Sequence, residues 1–298
     1  MSSTASAIVA AGSPALALES VSASSSQPRY LDDELTMQFS DLPRSQGVLV
    51  RRYTGENTPF VFTKTVVKLP GRFSRYLALS DVLKPTDMGR SDEHKDVEFY
   101  TVPRFVYHID EGAVSALTNY YKTVIPEGSD VLDICSSWVS HYPGGEGFKG
   151  RMGRVEGYGI NPLELAANKQ LKGWKNGDLN PTDPITGGDK EIVLPYENSS
   201  FDVVTCVVSV DYLKRPVEVM KEVNRVLKPG GKAIFSQSNR FFPSKVVNVW
   251  LSLSDEQRLD LIRGYLTWAG GFGEVDCWDI TPGGGRDPMW IVEARKEK

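Results

Sequence analysis

Five short polar clusters in this chain each follow directly on an apolar, strand-like stretch. They are Cys135 to Trp138, Gly159 to Asn161, Asp178 to Asn180, Ser209 to Tyr212, and Gln237 to Arg240. Hydroxyls such as those of Ser136 and Ser137 both donate and accept hydrogen bonds. Asn239 and Arg240 together can hold an anionic group. His141 is one of three histidines. Its unperturbed pKa near neutrality suits a general base, and a satisfied structural imidazole is the alternative. The three cysteines, Cys135, Cys206 and Cys277, lie in or beside apolar stretches. Their spacing suits no usual zinc site, no metal-ligand cluster is visible, and they read as reduced packing residues.

Stepping along the chain gives the elements that must position these clusters. Val131 to Cys135, Arg154 to Ile160, Phe201 to Val208 and Lys232 to Ser236 read as strands, the third of the kind buried on both faces. Between them lie helical segments. Asp110 is a plausible N-cap for a helix through Val124, ended by Pro126-Glu127-Gly128. Pro162 to Leu171 is helical, and Pro216 to Leu227 is amphipathic. Asp255 to Trp268 is closed by Gly270-Gly271. Glu274 to Ile280 and Met289 to Ala294 form a terminal strand pair around Pro282-Gly283-Gly284-Gly285. That loop is too short for a crossover helix, so the pair must be antiparallel. Strands alternating with helices imply a mostly parallel sheet covered on both faces, with ligands outside the carboxyl ends of the strands. The five clusters occupy those ends, and convergence of polar groups beside apolar strands argues for a pocket.

With 298 residues, 40% hydrophobic and 24% charged, the chain has the composition of a globular protein with one large domain or two modest ones. Its 34 basic and 38 acidic residues give a net charge of −4. No basic block marks a nucleic-acid partner, so a small-molecule ligand fits better. No apolar run approaches the ~20 residues of a membrane helix. Residues 1–29 form a Ser- and Ala-rich segment whose only acid is Glu19 and whose first base is Arg29. It reads as a disordered tail or a plastid transit peptide, which makes the expected compartment the chloroplast, otherwise the cytoplasm. Residues 30–98 form an N-terminal extension, a small β subdomain or a lid, with strands over Gly47–Tyr53 and Phe60–Leu69 and an exposed loop over 81–96. The main domain runs over 99–298.

Ser199-Ser200-Phe201-Asp202-Val203-Val204, followed by Glu222-Val223-Asn224-Arg225-Val226-Leu227-Lys228-Pro229-Gly230-Gly231, resembles the methyltransferase type 11 domain of class I S-adenosylmethionine-dependent methyltransferases. The likeness covers about Phe99 to Lys296. It is closer still to a methyltransferase-like subgroup of plants and algae, carrying Phe105-Val106, His108-Ile109-Asp110, Leu132-Asp133, Ser136 to His141, Asp178-Leu179-Asn180, Ser209 to Tyr212 and Ser238-Asn239-Arg240. The resemblance implies a Rossmann-like α/β fold: a mostly parallel seven-stranded sheet with one antiparallel strand and helices on both faces. It also implies S-adenosyl-L-methionine as cofactor.

The resemblance further implies roles for particular residues. Asp133 would order the loop after the first strand and the methionine amino group, or else cap local amides. Cys135, Ser136 and Ser137 stand where the family has its glycine-rich loop. Their hydroxyls and amides would bind the methionine carboxylate, or their side chains would keep the cofactor at a distance. Gly159 aligns with the acid that binds ribose hydroxyls, and Asn161 would replace that acid or simply cap the helix at Pro162. Asp178 would contact the adenine amino group, with Leu179 packed beside the ring. Tyr212, Asp211 and His141 would orient or deprotonate the acceptor. Two functions follow: methyl transfer to a small molecule, or, because of the missing glycines, a catalytically inactive scaffold for ligand sensing or protein interaction.

Overall fold

In a parallel sheet buried on both faces, alternate side chains of one strand must feed two separate cores. The computed structural model, which describes residues 83–298 and the backbone of Arg51–Arg52, shows this division. Seven strands form the sheet: β2 (Asp130–Ile134), β3 (Arg154–Gly159), β4 (Gly173–Asn176), β5 (Phe201–Val207), β6 (Leu227–Gln237), β7 (Phe272–Asp279) and β8 (Trp290–Lys296). A two-residue strand, β1 (Arg51–Arg52), adds to one edge. The order is β1-β7-β8-β6-β5-β2-β3-β4. Strand β8 runs antiparallel to both neighbours, β6 and β7, and every other pairing is parallel. The expected α/β sheet with one antiparallel strand is therefore present. Chain direction across the sheet reverses between β2 and β5, which opens a crevice at their carboxyl ends.

The helices are α1 (Asp96–Phe99), α2 (Glu111–Val124), α3 (Gly147–Arg151), α4 (Pro162–Ala167), α5 (Pro216–Val226), α6 (Asn248–Ser252) and α7 (Asp255–Ala269). Leu132 and Ile134 of β2 face a core shared with Val219 and Val223 of α5 and Leu259 and Ile262 of α7. Val131, one residue away, faces the other core with Leu117 and Tyr121 of α2, Phe148 of α3 and Leu165 of α4. Asp110 caps α2 as expected, accepting from the Ala113 amide at 2.8 Å. Its second oxygen accepts the Asp287 amide, and Asp287 accepts the Asp110 amide, both at 2.9 Å. That reciprocal pair ties the start of α2 to the loop between β7 and β8.

Three local readings needed correction. Strand β4, Gly-Trp-Lys-Asn, gives no period-2 apolar signal because it is a polar edge strand. The helix expected to reach Leu171 stops at Ala167, where Asn168 turns inward to serve the loop after β2. Strand β6 begins at Leu227, five residues early, because Lys228 to Gly231 bulge out between the pairs Phe201–Leu227 and Val203–Lys232. Gly230, at φ +78°, permits that bulge.

The segment expected as an exposed loop over 81–96 is exposed at residues 84–86, 91 and 93–95, but other side chains anchor it to the body. Leu83, Asp87, Arg90 and Asp96 are buried. Arg90 grips Asp96 through two hydrogen bonds of 2.6 and 3.1 Å and also donates to the Tyr212 carbonyl. Asn180 donates to Asp96 at 2.8 Å and to the same carbonyl at 2.9 Å. Lys245, fully buried, donates to the His94 carbonyl at 2.6 Å and pairs with Asp92 and Asp96 at 3.2 and 3.5 Å. Residues 1–50 and 53–82, with the expected tail, the strand over Phe60–Leu69 and most of the strand over Gly47–Tyr53, lie outside the described residues.

Removing one member of a buried ion network leaves uncompensated charge. Lys245→Ala is expected to cost about 3–5 kcal/mol of stability in urea denaturation. Lys214→Ala breaks only the solvent-exposed pair with Glu93 and should cost under about 1 kcal/mol. Equal losses in the two variants would rule out burial as the cause.

Candidate functional site

A cavity of about 320 Å³ opens at the carboxyl ends of β2, β3 and β5. Four of the five expected clusters supply several lining residues, and the fifth supplies Arg240. A roof segment, Tyr100 to Ile109, closes the other side. Among the described residues, three of the four non-glycine positions with left-handed backbone, Cys135 (φ 53°), His141 (φ 58°) and Val208 (φ 39°), border this cavity. Strained backbone of that kind persists where surrounding structure over-determines it, and it concentrates at functional sites.

The loop after β2 is held by side chains instead of being freed by glycines. Asp133 is fully buried and accepts hydrogen bonds from Ser136 (2.7 Å), Ser140 (2.6 Å) and Thr205 (3.0 Å). Burial pushes its pKa up to about 6, and the three hydroxyls pull it back. Ser137 donates to Glu164 at 2.6 Å. Asn168 donates to the Ser137 carbonyl and to Ser140, both at 2.9 Å. The two serine hydroxyl hydrogens therefore point into the protein, not toward a ligand as expected. Ser137, Trp138 and Val139 line the cavity, and their backbone N–H groups have no acceptor among the described residues. Successive unpaired amides are the raw material of an anion-binding nest.

Two glycines record how tightly the loops approach. A Cβ on Gly159 would lie 2.0 Å from the Ser136 carbonyl oxygen, and one on Gly177 would lie 2.1 Å from the Tyr158 hydroxyl. The Ser136 amide bonds the Tyr158 carbonyl at 2.9 Å, so the loop continues the sheet against β3. An acid at position 159 is sterically impossible beside this loop. Asn161 does not replace it. Its oxygen caps α4 through the Leu163 and Glu164 amides, its nitrogen donates to the Tyr100 carbonyl, and it does not line the cavity.

Asp178 does line the cavity. One oxygen accepts the Asn180 amide at 2.7 Å, and burial raises its pKa. Leu179 is buried beside it, and Tyr158 forms the adjoining wall.

Residues 150–235 match a family model described as a methyltransferase domain. The demethylmenaquinone methyltransferase of Bacillus mycoides is 32% identical over 116 residues, which cover 39% of this chain and 47% of that protein. That of Bacillus cereus strain B4264 is 29% identical over the same shares. The chain thus spans about half the length of the curated relatives it matches. Among solved structures, the [4+2]-cyclase SpnF has a TM-score of 0.45 at 16% identity, covering 65% of this chain and 89% of its own. An S-adenosylmethionine-dependent methyltransferase from Mesorhizobium loti has a TM-score of 0.40 at 16% identity, covering 61% and 98%. The domain match falls on β3 through β6, inside the strand order described above. Over residues 150–235 the chain is thus similar to a methyltransferase domain, and its sheet is Rossmann-like and mostly parallel.

Within the cavity the three residues expected at the acceptor end separate. Tyr212 lines the cavity, but its hydroxyl accepts the Phe242 amide at 2.8 Å, and burial holds its pKa far above the ordinary phenol range. Asp211 lies beneath the cavity and does not line it, a correction to its expected role. Its carboxyl makes no well-formed hydrogen bond. Burial pushes its pKa up to about 8 against Arg258, Gln237 and Arg90. His141 lines the cavity, but burial, aided by His108, drives its pKa down to about 4, so it is a neutral and weak base. Glu164, Arg104 and His108 were missed as site residues. His108 and Arg104 come from the roof, which carries no chemical motif, and Glu164 read only as a residue of α4.

Two outcomes test this geometry. Gly159→Ala forces an overlap and should cost about 1–3 kcal/mol or more in urea denaturation. Gly150→Ala, in α3 with open space around its Cβ, should be neutral or slightly stabilising. For Asp211 the folded carboxyl keeps its proton up to about pH 8, whereas the unfolded one loses it near 4. The folded state thus binds more protons in that window, and this residue makes stability fall as pH rises through it. Asp211→Asn should match wild type below pH 4 and gain on it progressively up to pH 8. A gap that stays constant with pH would contradict this assignment.

Proposed function

We propose that this protein is an S-adenosylmethionine-dependent methyltransferase acting on a small, flat acceptor. The observation that carries the reading is the cavity at the sheet's switch point, with an acceptor oxygen, an apolar slot and free amides arranged around it. The residues fit the cofactor's parts. Asp178 presents its remaining carboxylate oxygen to an amino group, with Leu179 and Tyr158 flanking a ring. The Ser137, Trp138 and Val139 amides suit a carboxylate. The Glu164 carboxylate, fixed by Ser137 and the Arg104 amide, faces the same space and can accept from hydroxyls. S-adenosylmethionine, when bound, supplies an electrophilic methyl group.

The chain's own contribution is then positioning and exclusion of water, which is what in-line displacement chiefly requires. Tyr107 stacks on Trp138 at 5.2 Å and 13°, and Phe242 adds a second apolar wall, so a planar ring is the shape that fits. His108 and His141, both pushed toward the neutral form by burial, can accept a hydrogen bond from an acceptor's O–H or N–H. The Bacillus relatives named for demethylmenaquinone support a ring-bearing acceptor.

The test is calorimetric titration of the full chain with S-adenosylmethionine and S-adenosylhomocysteine, followed by transfer of a radiolabelled methyl group into extracts. Both ligands should bind, and Asp178→Ala should weaken binding at least tenfold, about 1.4 kcal/mol. Folded protein that binds neither would sink the proposal. Binding with no transfer to any acceptor would favour the inactive ligand-sensing scaffold.

A further inference from the structure

Arg104 carries a charge that no described group neutralises. It lines the cavity from the roof. Its backbone amide bonds Glu164 at 2.7 Å, and its Nη2 donates to the Phe99 carbonyl at 3.1 Å. Nη1 is buried without a hydrogen-bond partner. No carboxylate among the described residues lies within ion-pair distance of the guanidinium. The Glu164 carboxylate, the nearest candidate by position, is taken up by Ser137 and the Arg104 amide. The other cations near the cavity are all committed: Arg90 to Asp96, Lys245 to Asp92 and Asp96, and Arg240 to Asp287.

Arg104 is part-buried, and desolvating part of an unpaired cation has a cost, so the residue is held in place by something other than an ion pair. Aromatic faces hold it. The guanidinium carbon lies 4.4 Å from the Phe99 ring centroid, 5.4 Å from Phe242 and 5.5 Å from Tyr100. Such faces recover only part of the desolvation cost and leave an in-plane N–H donor unused. A preorganised guanidinium held by three ring faces, in a cavity that the stacked Tyr107 and Trp138 also line, is suited to a planar anion.

We propose that Arg104 selects an acceptor that is a planar aromatic anion, a carboxylate or phenolate, by pairing its guanidinium with the charged oxygen. The assignment of this end of the cavity to the acceptor rests on the methyltransferase reading. The anionic group completes the roof's charge balance, and the ring lies against the Tyr107 and Trp138 pair. Arg104 is in this sense a specificity-determining residue for the reaction.

The experiment uses 2-naphthoate and its neutral isostere 2-naphthamide as probes, titrated calorimetrically into the full chain, with S-adenosylhomocysteine measured in parallel. Wild type should bind naphthoate at least tenfold more tightly than naphthamide. Arg104→Gln should bring the two within twofold of each other, without changing naphthamide or S-adenosylhomocysteine affinity by more than twofold. Arg104→Lys keeps the charge but not the planar fork and should keep part of the preference. That variant carries the test if Arg104→Gln fails to fold. Failure of naphthoate to bind, equal affinities in wild type, or a preference that survives Arg104→Gln would overturn the inference. So would a tenfold loss of S-adenosylhomocysteine affinity with naphthoate spared, because the guanidinium would then serve the cofactor's carboxylate. A naphthoate preference without S-adenosylhomocysteine binding would sink the methyl-transfer reading alone, and the reverse result would sink this inference alone.

Discussion

The buried Asp96 carboxylate is the contact on which the cavity depends. Loops at the carboxyl end of a parallel sheet have no ladder partners of their own, so something must tie them to each other. Asp96 gathers Arg90 from its own segment, Asn180 from the loop after β4 and Lys245 from the segment after β6. Arg90 and Asn180 also share the Tyr212 carbonyl from the loop after β5. One negative charge thus fixes the mutual positions of four chain segments that are far apart in sequence. Two cations on one anion would be costly if any member were exposed to competition with water. Full burial of Lys245 and near-full burial of Arg90 make the arrangement directional.

The loop after β2 solves a second positioning problem by an unusual route. Glycines let a loop approach a ligand closely and leave its conformation to be set by the ligand. Here Ser136 and Ser140 bind Asp133, Ser137 binds Glu164, and Asn168 and Gln170 hold the loop from the far side. The loop is set before any ligand arrives, and the requirement for glycine is transferred to Gly159, whose missing side chain makes room for Ser136. The serines in this loop make it rigid, and the amides of residues 137–139 have no acceptor among the described residues.

The electrostatics divide the cavity. Beneath it, burial raises the pKa of Asp133 to about 6 and that of Asp211 to about 8, so Asp211 is protonated at neutral pH. On the acceptor side His108 and His141 are likewise pushed neutral. Against that low background the guanidinium of Arg104 is the charge that stands out, and it is held by ring faces in place of a carboxylate.

Sequence alone determined what depends on neighbours along the chain. The buried strands, the Asp110 cap, the amphipathic α5 and the antiparallel β8 all follow from periodicity, turn chemistry and loop length. The strand-end rule placed Cys135, Ser136, Ser137, Gly159, Asp178, Leu179 and Tyr212 on the cavity wall without any contact information. Tertiary structure decided what depends on which partner a side chain meets. Asp211 and Tyr212 are adjacent, yet one lies under the cavity and the other lines it. Asn161 could cap or bind, and its cap geometry uses up both of its polar ends. Residues 83–96 read as exposed because they are charged, yet Arg90 and Asp96 among them are buried because Asn180, Tyr212 and Lys245 meet those charges. Arg104 carried no signal, since an unpaired guanidinium is defined by the absence of a neighbour, and only the folded chain shows who the neighbours are.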